Sequence, residues 1–276
     1  MSVLNALLQT LFDGVMSLLR GFPAIVGIAI LSLITAIGML LVFRHASNQD
    51  KMAEVKNRIH ACVFEIRLFN DDLRAILRAQ AEILRHNATY IGLTIKPMLV
   101  MIVPMVLLIA QMQFYYGYSG LEPGEDGILT VHFKGDNSEG GEKPSLSIDA
   151  PAGLVVETGS VWIPTENEMA WRVGAESVGE YELTIGWGDE VYEKSVLVSS
   201  AVARRSPIRL EPGFFNQLLY PAEKPLPKDS AIQSIELGYS EEEVGLFGIH
   251  LHWLIWFFIL SIVFAFSLKR FFGVTI

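Results

Sequence analysis

One cysteine, Cys62, is all that the 276-residue chain carries, which excludes an intrachain disulfide framework and a Cys-based zinc site. Charge is scarce as well: 18% of the residues are charged against 51% hydrophobic. The formal charge of −9 and an isoelectric point of 5.2 argue against direct DNA binding, which calls for a basic surface. Residues 1–20 have no basic stretch and no small-residue cleavage site before the next apolar run, so the first apolar segment is expected to stay uncleaved. The chain has no Gly-x-Ser-x-Gly elbow, phosphate loop, dinucleotide fingerprint or His-Glu-x-x-His pair. Its acidic residues do not follow the spacing of a calcium loop. The expectation is a protein that is not an enzyme, with no catalytic, cofactor-binding or metal-binding residue and no cofactor.

What is abundant is apolar sequence, and it is concentrated. Three segments lack charge over most of the roughly 20 residues that a helix needs to cross hydrocarbon: 22–43, 97–116 and 246–268, the last with its apolar core at Trp253–Leu268. Pro23 and Pro97 fall in first turns, where a missing N–H costs little, and Pro104 predicts a kink inside the second span. Nine Lys/Arg lie between Arg44 and Lys96, and Lys269-Arg270 follow the third span. By the positive-inside rule both regions are cytoplasmic and the N-terminus lies outside. The expected location is the inner (cytoplasmic) membrane of a bacterium. Phe114, Tyr115, Tyr116 and Tyr118 read as an aromatic belt, and His250, His252, Trp253 and Trp256 as interfacial anchors in contact with lipid. Two histidines two apart on a helix face different ways, so a shared metal is not expected there.

Residues 1–20 show apolar positions at helical spacing, which predicts an amphipathic helix in the outer interface or an extension of the first span. Residues 44–96 predict a cytoplasmic hairpin of two short helices, with Asn70 or Asp71 capping the second. Its candidate docking residues are Arg58, Arg67, Arg74 and Arg78. The hairpin is either a docking surface for a ribosome or a cytoplasmic protein, or a self-packed spacer with solvated charges.

Residues 117–245 hold about two dozen Asp/Glu against nine Lys/Arg. Alternating runs such as Leu129-Thr130-Val131-His132-Phe133, separated by Gly/Asp/Pro turns, predict an extracytoplasmic β-sandwich over 117–200. Trp162, Trp171 and Trp187 are expected in its core, and 120–127 and 135–143 as flexible loops. Residues 201–245, rich in proline, read as an extended segment, either a stalk or a stretch wrapped along the sandwich, Ile232–Leu237 as a last strand, and 269–276 as a cytoplasmic tail. The fold class is therefore an α+β membrane protein.

An outer amphipathic helix, a span, a basic hairpin and a Pro-containing span follow one another in this order. The sequences that carry the pattern are Leu40-Leu41-Val42-Phe43-Arg44, Asn48-Gln49-Asp50-Lys51-Met52-Ala53-Glu54-Val55-Lys56, and Pro97-Met98-Leu99-Val100-Met101-Ile102-Val103-Pro104-Met105. Over about the first 115 residues and the last span, the chain resembles the YidC/Oxa-type membrane insertase superfamily, most nearly its three-span members. The resemblance implies a hydrophilic groove that shelters polar parts of a client helix, and a hairpin that meets ribosome or client. Many members place an Arg within the first span; here that span is uncharged, and only Ser32, Thr35, Gln111 and Gln113 offer polarity for a groove. The large domain before the third span is also foreign to the minimal plan. Two readings stand: an insertase-like protein that handles membrane-protein clients, or a membrane anchor or assembly subunit whose sandwich binds a fixed protein partner. Both have membrane lipids as neighbours.

Overall fold

The computed structural model describes residues 2–19, 21–135 and 143–274, with side chains from residue 9 onward. Most of the loop expected at 135–143 and part of the apolar stripe expected near the N-terminus lie outside these limits. The fold is α+β, with long helices and antiparallel sheets. It divides into two compact units: residues up to Gly27 with Leu107–Trp253, and Ile28–Val106 with Leu254 onward.

Four helices open the chain: α1 (Ser2–Leu19), α2 (Ala24–Ala46), α3 (Gln49–Leu68) and α4 (Leu73–Tyr116). Two of them, α2 and α4, are long and apolar enough to cross a membrane. Asn48 caps α3 by accepting from the Lys51 N–H at 3.1 Å, and Arg67 lies in its last turn, where a cation meets the negative end of the helix dipole. Asp72 caps α4, accepting from the N–H groups of Arg74 and Ala75 at 2.9 and 3.3 Å. The cap is thus one or two residues later than the sequence pattern suggested. A larger difference follows: the second hairpin helix and the expected span form one 44-residue helix, with Pro97 and Pro104 both inside it. Pro97 opens no new helix. Each proline removes one backbone donor, a defect of about 3 kcal/mol in an ordinary helix interior, and the helical turns on either side outlast it.

In the second unit the C-terminal end of α2 (Leu40, Phe43), the start of α3 (Met52) and the end of the chain (Leu268, Phe272, Val274) share a small core. Tyr90, Leu93 and Met101 of α4 pack on it. The helix α6 (Trp253–Leu268) spans 16 residues without a charge.

The first unit holds the sheets. Strands β1 (Asp126–Phe133), β3 (Leu154–Val156), β4 (Val161–Ile163), β5 (Glu168–Ala175), β8 (Ile208–Leu210) and β9 (Ile232–Leu237) form one sheet in the order β3-β5-β1-β9-β8, with β4 also on β5. Strands β2 (Leu146–Asp149), β6 (Gly179–Trp187) and β7 (Glu190–Val198) form the other. Alternation decides which side chains face inward: Leu129, Val131 and Phe133 from β1, Val173 from β5, Leu183 and Ile185 from β6, and Val196 from β7 join one core. Burying each such side chain fully contributes about 1.5–3 kcal/mol. Trp171 is buried in this core, while Trp162 and Trp187 set ring edges against Phe133 at its margin.

The boundary expected at residue 200 does not hold. β9 lies between β1 and β8, and its Ile232, Ile235 and Leu237 are buried. The proline-rich segment therefore completes the domain. Prolines at 207, 212, 221, 225 and 227 fall between β7 and β9, around β8 and the short helix α5 (Phe214–Leu219), where few ladder bonds are needed. A last hairpin, β10 (Glu243–Leu246) with β11 (Ile249–His252), leads directly into Trp253. Residues 246–252, expected at the start of the third span, are thus largely in extended structure.

Candidate functional site

The α3–α4 hairpin buries one stripe and exposes another. Met52, Val55, Cys62 and Ala79 are buried. Around the turn, Phe64, Leu68, Phe69, Leu73 and Leu77 are 47–75% exposed. The first three, with Ala61, Glu65 and Arg67, line an open depression of about 600 Å³. Of the four candidate arginines Arg67 lines it, and the four do not converge. Arg58 pairs with Glu54 at 2.6 Å and Arg78 with Glu82 at 3.3 Å, both along their own helix and exposed; such pairs contribute about 0.3–0.5 kcal/mol. Arg67 and Arg74 are exposed at the two helix ends beside the turn.

The sequence pattern did not anticipate that Cys62, Glu65 and Glu82 bring a thiol and two carboxylates within 4.8 Å of one another. Burial pushes the Cys62 thiol above its ordinary range, helped by the charge of Glu82, and the thiol donates to the Glu82 carboxylate at 3.9 Å. The thiol–carboxylate bond ties the two hairpin arms together. The i,i+3 spacing of Cys62 and Glu65 was visible in sequence; the facing Glu82 was not.

Ser32, Thr35 and Gln111 of the candidate groove are buried and Gln113 is half-buried, and most of their polarity is engaged. Ser32 is fully buried and donates to the Phe257 carbonyl at 3.2 Å, binding α2 to α6 within the second unit. Thr35 donates back to Leu31 in its own helix at 2.7 Å. In the first unit Gln111 is 4% exposed, and Gln113 accepts from the Trp253 indole N–H at 3.1 Å. Trp253 is completely buried and Trp256 nearly so, and Phe114, Tyr115 and Tyr116 are buried as well. Of the expected anchors and belt these five aromatic residues are packed within protein, whereas His250 is exposed and His252 and Tyr118 are half-buried. His250 and His252 lie on β11, where residues two apart share a face. The helical argument against a shared metal does not apply to them. Among the described residues they belong to no group of three metal-ligand side chains.

In the first unit, α1 lies against the sheet domain. A cavity of about 800 Å³ is lined by Asp13 and Met16 of α1, Tyr115, strands β6 and β7, and Arg204. Asp13 accepts from the Tyr115 hydroxyl and pairs with Arg204, and Gln9 donates to the Pro221 carbonyl. These bonds fix α1 to protein. Beside the cavity, β7 carries Lys194 at an inward position between Tyr192 and Val196, fully buried. Its ammonium donates to Glu223 at 2.7 Å, to the Ser206 carbonyl at 2.6 Å and to the Ser195 carbonyl at 3.3 Å. Burial pushes its pKa down, and the Glu223 carboxylate opposes that. The open edge of β7 is capped by side chains in place of a strand: Glu223 accepts from the Ser195 N–H at 2.9 Å and Tyr239 from the Leu197 N–H at 3.0 Å, while Arg209 donates to the Glu193 carbonyl. Capping of this kind blocks strand addition at an edge. A lysine on the inward register of an alternating strand was the available sequence signal for this network.

No protein-family model, curated protein or solved structure matches this chain.

Proposed function

We propose that the chain is a three-span membrane protein that assists the insertion or assembly of other membrane proteins, acting without a cofactor. The observation that carries this reading is the apolar tip of the α3–α4 hairpin, with Phe64, Leu68 and Phe69 exposed beside Arg67 and Arg74. An exposed apolar cluster rimmed by cations suits a short apolar segment emerging beside an anionic ribosome. The second arm of the hairpin runs unbroken into the apolar stretch of α4, where Leu99, Ile102 and Val103 are 51–63% exposed. A client segment bound at the tip would then have one unbroken helix to follow into that apolar stretch.

The same reading makes α2, α4 and α6 the spans, with the hairpin and the C-terminus on the cytoplasmic side. The core shared by the end of α2, the start of α3 and residues 268–274 supports it, because the basic flanks Arg44 and Lys269-Arg270 adjoin residues of one cluster. The inner membrane of a bacterium is the proposed location. The kinship implied by resemblance is to the YidC/Oxa-type insertases, with a further departure beside the uncharged first span and the large sheet domain: Ser32 and Thr35 are buried and bonded to helix carbonyls. The client surface proposed is therefore the apolar face of α4 rather than a polar groove.

A fixed-partner anchor is the second reading. The Ser32–Phe257 bond favours it, since close-packed spans leave less room for clients. Reconstitution separates the two. Vesicles containing the purified chain should raise protease-protected insertion of an in vitro translated single-span protein above that of empty vesicles, and Phe69→Asp with Leu73→Asp should abolish the gain. Equal insertion with and without the chain would overturn the proposal.

A further inference from the structure

The β10–β11 hairpin ends in a two-residue turn, Phe247-Gly248, with φ values of 52° and 82°. Two positive φ angles in such a turn favour Asn-Gly or Gly-Gly, and a large L side chain at the first position is strained. Phe247 is nevertheless there, and it is 95% exposed. The two faces of the hairpin differ. Register places Glu243 opposite His252 and Gly245 opposite His250 on one face, and Val244 opposite Leu251 and Leu246 opposite Ile249 on the other. The apolar face is covered at its base, where Val244 is 4% exposed, and open at its end, where Ile249 is 54% exposed. Apolar surface therefore increases toward the tip, the reverse of a hairpin built to end in water.

We infer that this tip is a lipid-contact device: Phe247, with Leu246 and Ile249, enters the interface of the outer leaflet. The inference rests on the reading of α6 as a span. What points to lipid is continuity of the chain. β11 passes into Trp253 without a linker, and α6 then exposes Ile255, Phe258, Ile259 and Ile262 with no charge along its length. Phe247 is six residues from the start of that helix, a chain reach of about 20 Å at most. An aromatic ring that the chain holds no farther than that from the first residue of a bilayer-crossing helix is within reach of the headgroup and acyl boundary, where aromatic side chains are favoured.

The full chain, carrying Cys62→Ser, is labelled with an environment-sensitive fluorophore at Phe247→Cys, at Ile262→Cys or at Asp189→Cys. It is then reconstituted into phosphatidylcholine vesicles with bromines near the glycerol or near the methyl end of the acyl chains. The expected result is quenching at 247 by the shallow bromines with protection from aqueous iodide, quenching at 262 by the deep ones, and quenching at 189 by iodide alone. Iodide quenching at 247 with lipid quenching at 262 overturns the inference and leaves the span reading standing. A label at 247 shielded from both quenchers means that protein covers the tip, and also overturns it. If neither 247 nor 262 senses lipid, the span reading falls as well. Phe247→Asn supplies the complementary variant: folding is retained because Asn tolerates the turn, while a label at Ile249→Cys moves toward the aqueous quencher. An unmoved label there counts against the inference.

Discussion

Lys194 and Glu223 show how one misplaced charge organises its surroundings. The ammonium sits where an alternating strand would put a valine, and it persists because all three of its donors are used. Glu223→Ala should cost about 3–5 kcal/mol, because it strands a buried cation, and Lys194→Met in the same chain should recover most of that loss. Denaturation of the detergent-solubilised chain, followed by tryptophan fluorescence, measures both. Tyr239 adds a pH signature. Burial pushes its hydroxyl from 10.0 up to about 12. A folded-state pKa above the unfolded one means that the fold favours the protonated phenol, so its contribution is complete below pH 10 and is lost as pH rises through about 12. Tyr192, also raised by burial, acts in the same direction. Lys194, lowered by burial, works the other way as pH approaches its ordinary 10.5. The comparison with Tyr239→Phe isolates one phenol: wild type should lose about 2 kcal/mol more than the variant across that window. Equal alkaline slopes would show that this hydroxyl is not linked to folding.

At the scale of elements, the sequence was most legible where a period was unambiguous. The 2.0-residue alternation located most of the strands, and apolar stripes at 3.6-residue spacing located α1 and α3. It was least legible where tertiary context overrides a local signal. Pro97 looked like a helix start, yet its neighbours sustain one helix across it. The proline-rich segment read as a stalk or as a segment wrapped along the sandwich, and Ile232–Leu237 as a last strand; that strand lies inside the sheet between β1 and β8, a placement that its local sequence does not specify. Trp253 looked like an interface residue because composition cannot show that Gln113 waits 140 positions earlier in the chain. A direct consequence can be measured. A fragment covering 118–200 lacks β9 and the Glu223 and Tyr239 caps of β7, so it should be largely unfolded by circular dichroism. A fragment covering 118–242 should melt cooperatively. A cooperative transition in the shorter fragment would mean that β9 is dispensable.

At the scale of the molecule, what was readable was its division of labour: apolar helices long enough for a membrane, a basic hairpin and an acidic sheet domain. The site was less readable. The four candidate arginines lie on the hairpin, but its exposed Phe64, Leu68 and Phe69 had not been singled out from the sequence. Under the proposed function these exposed residues are what a client would meet. The central claim is that α4 carries that client onward, and the most direct test is a photo-crosslinker at Ile102, which lies in the apolar stretch and is 51% exposed. In native membranes, with ribosomes translating short single-span proteins, the account predicts adducts to several different nascent chains, lost with Phe69→Asp. Adducts to lipid alone, or to one constant partner whatever is being translated, would contradict it.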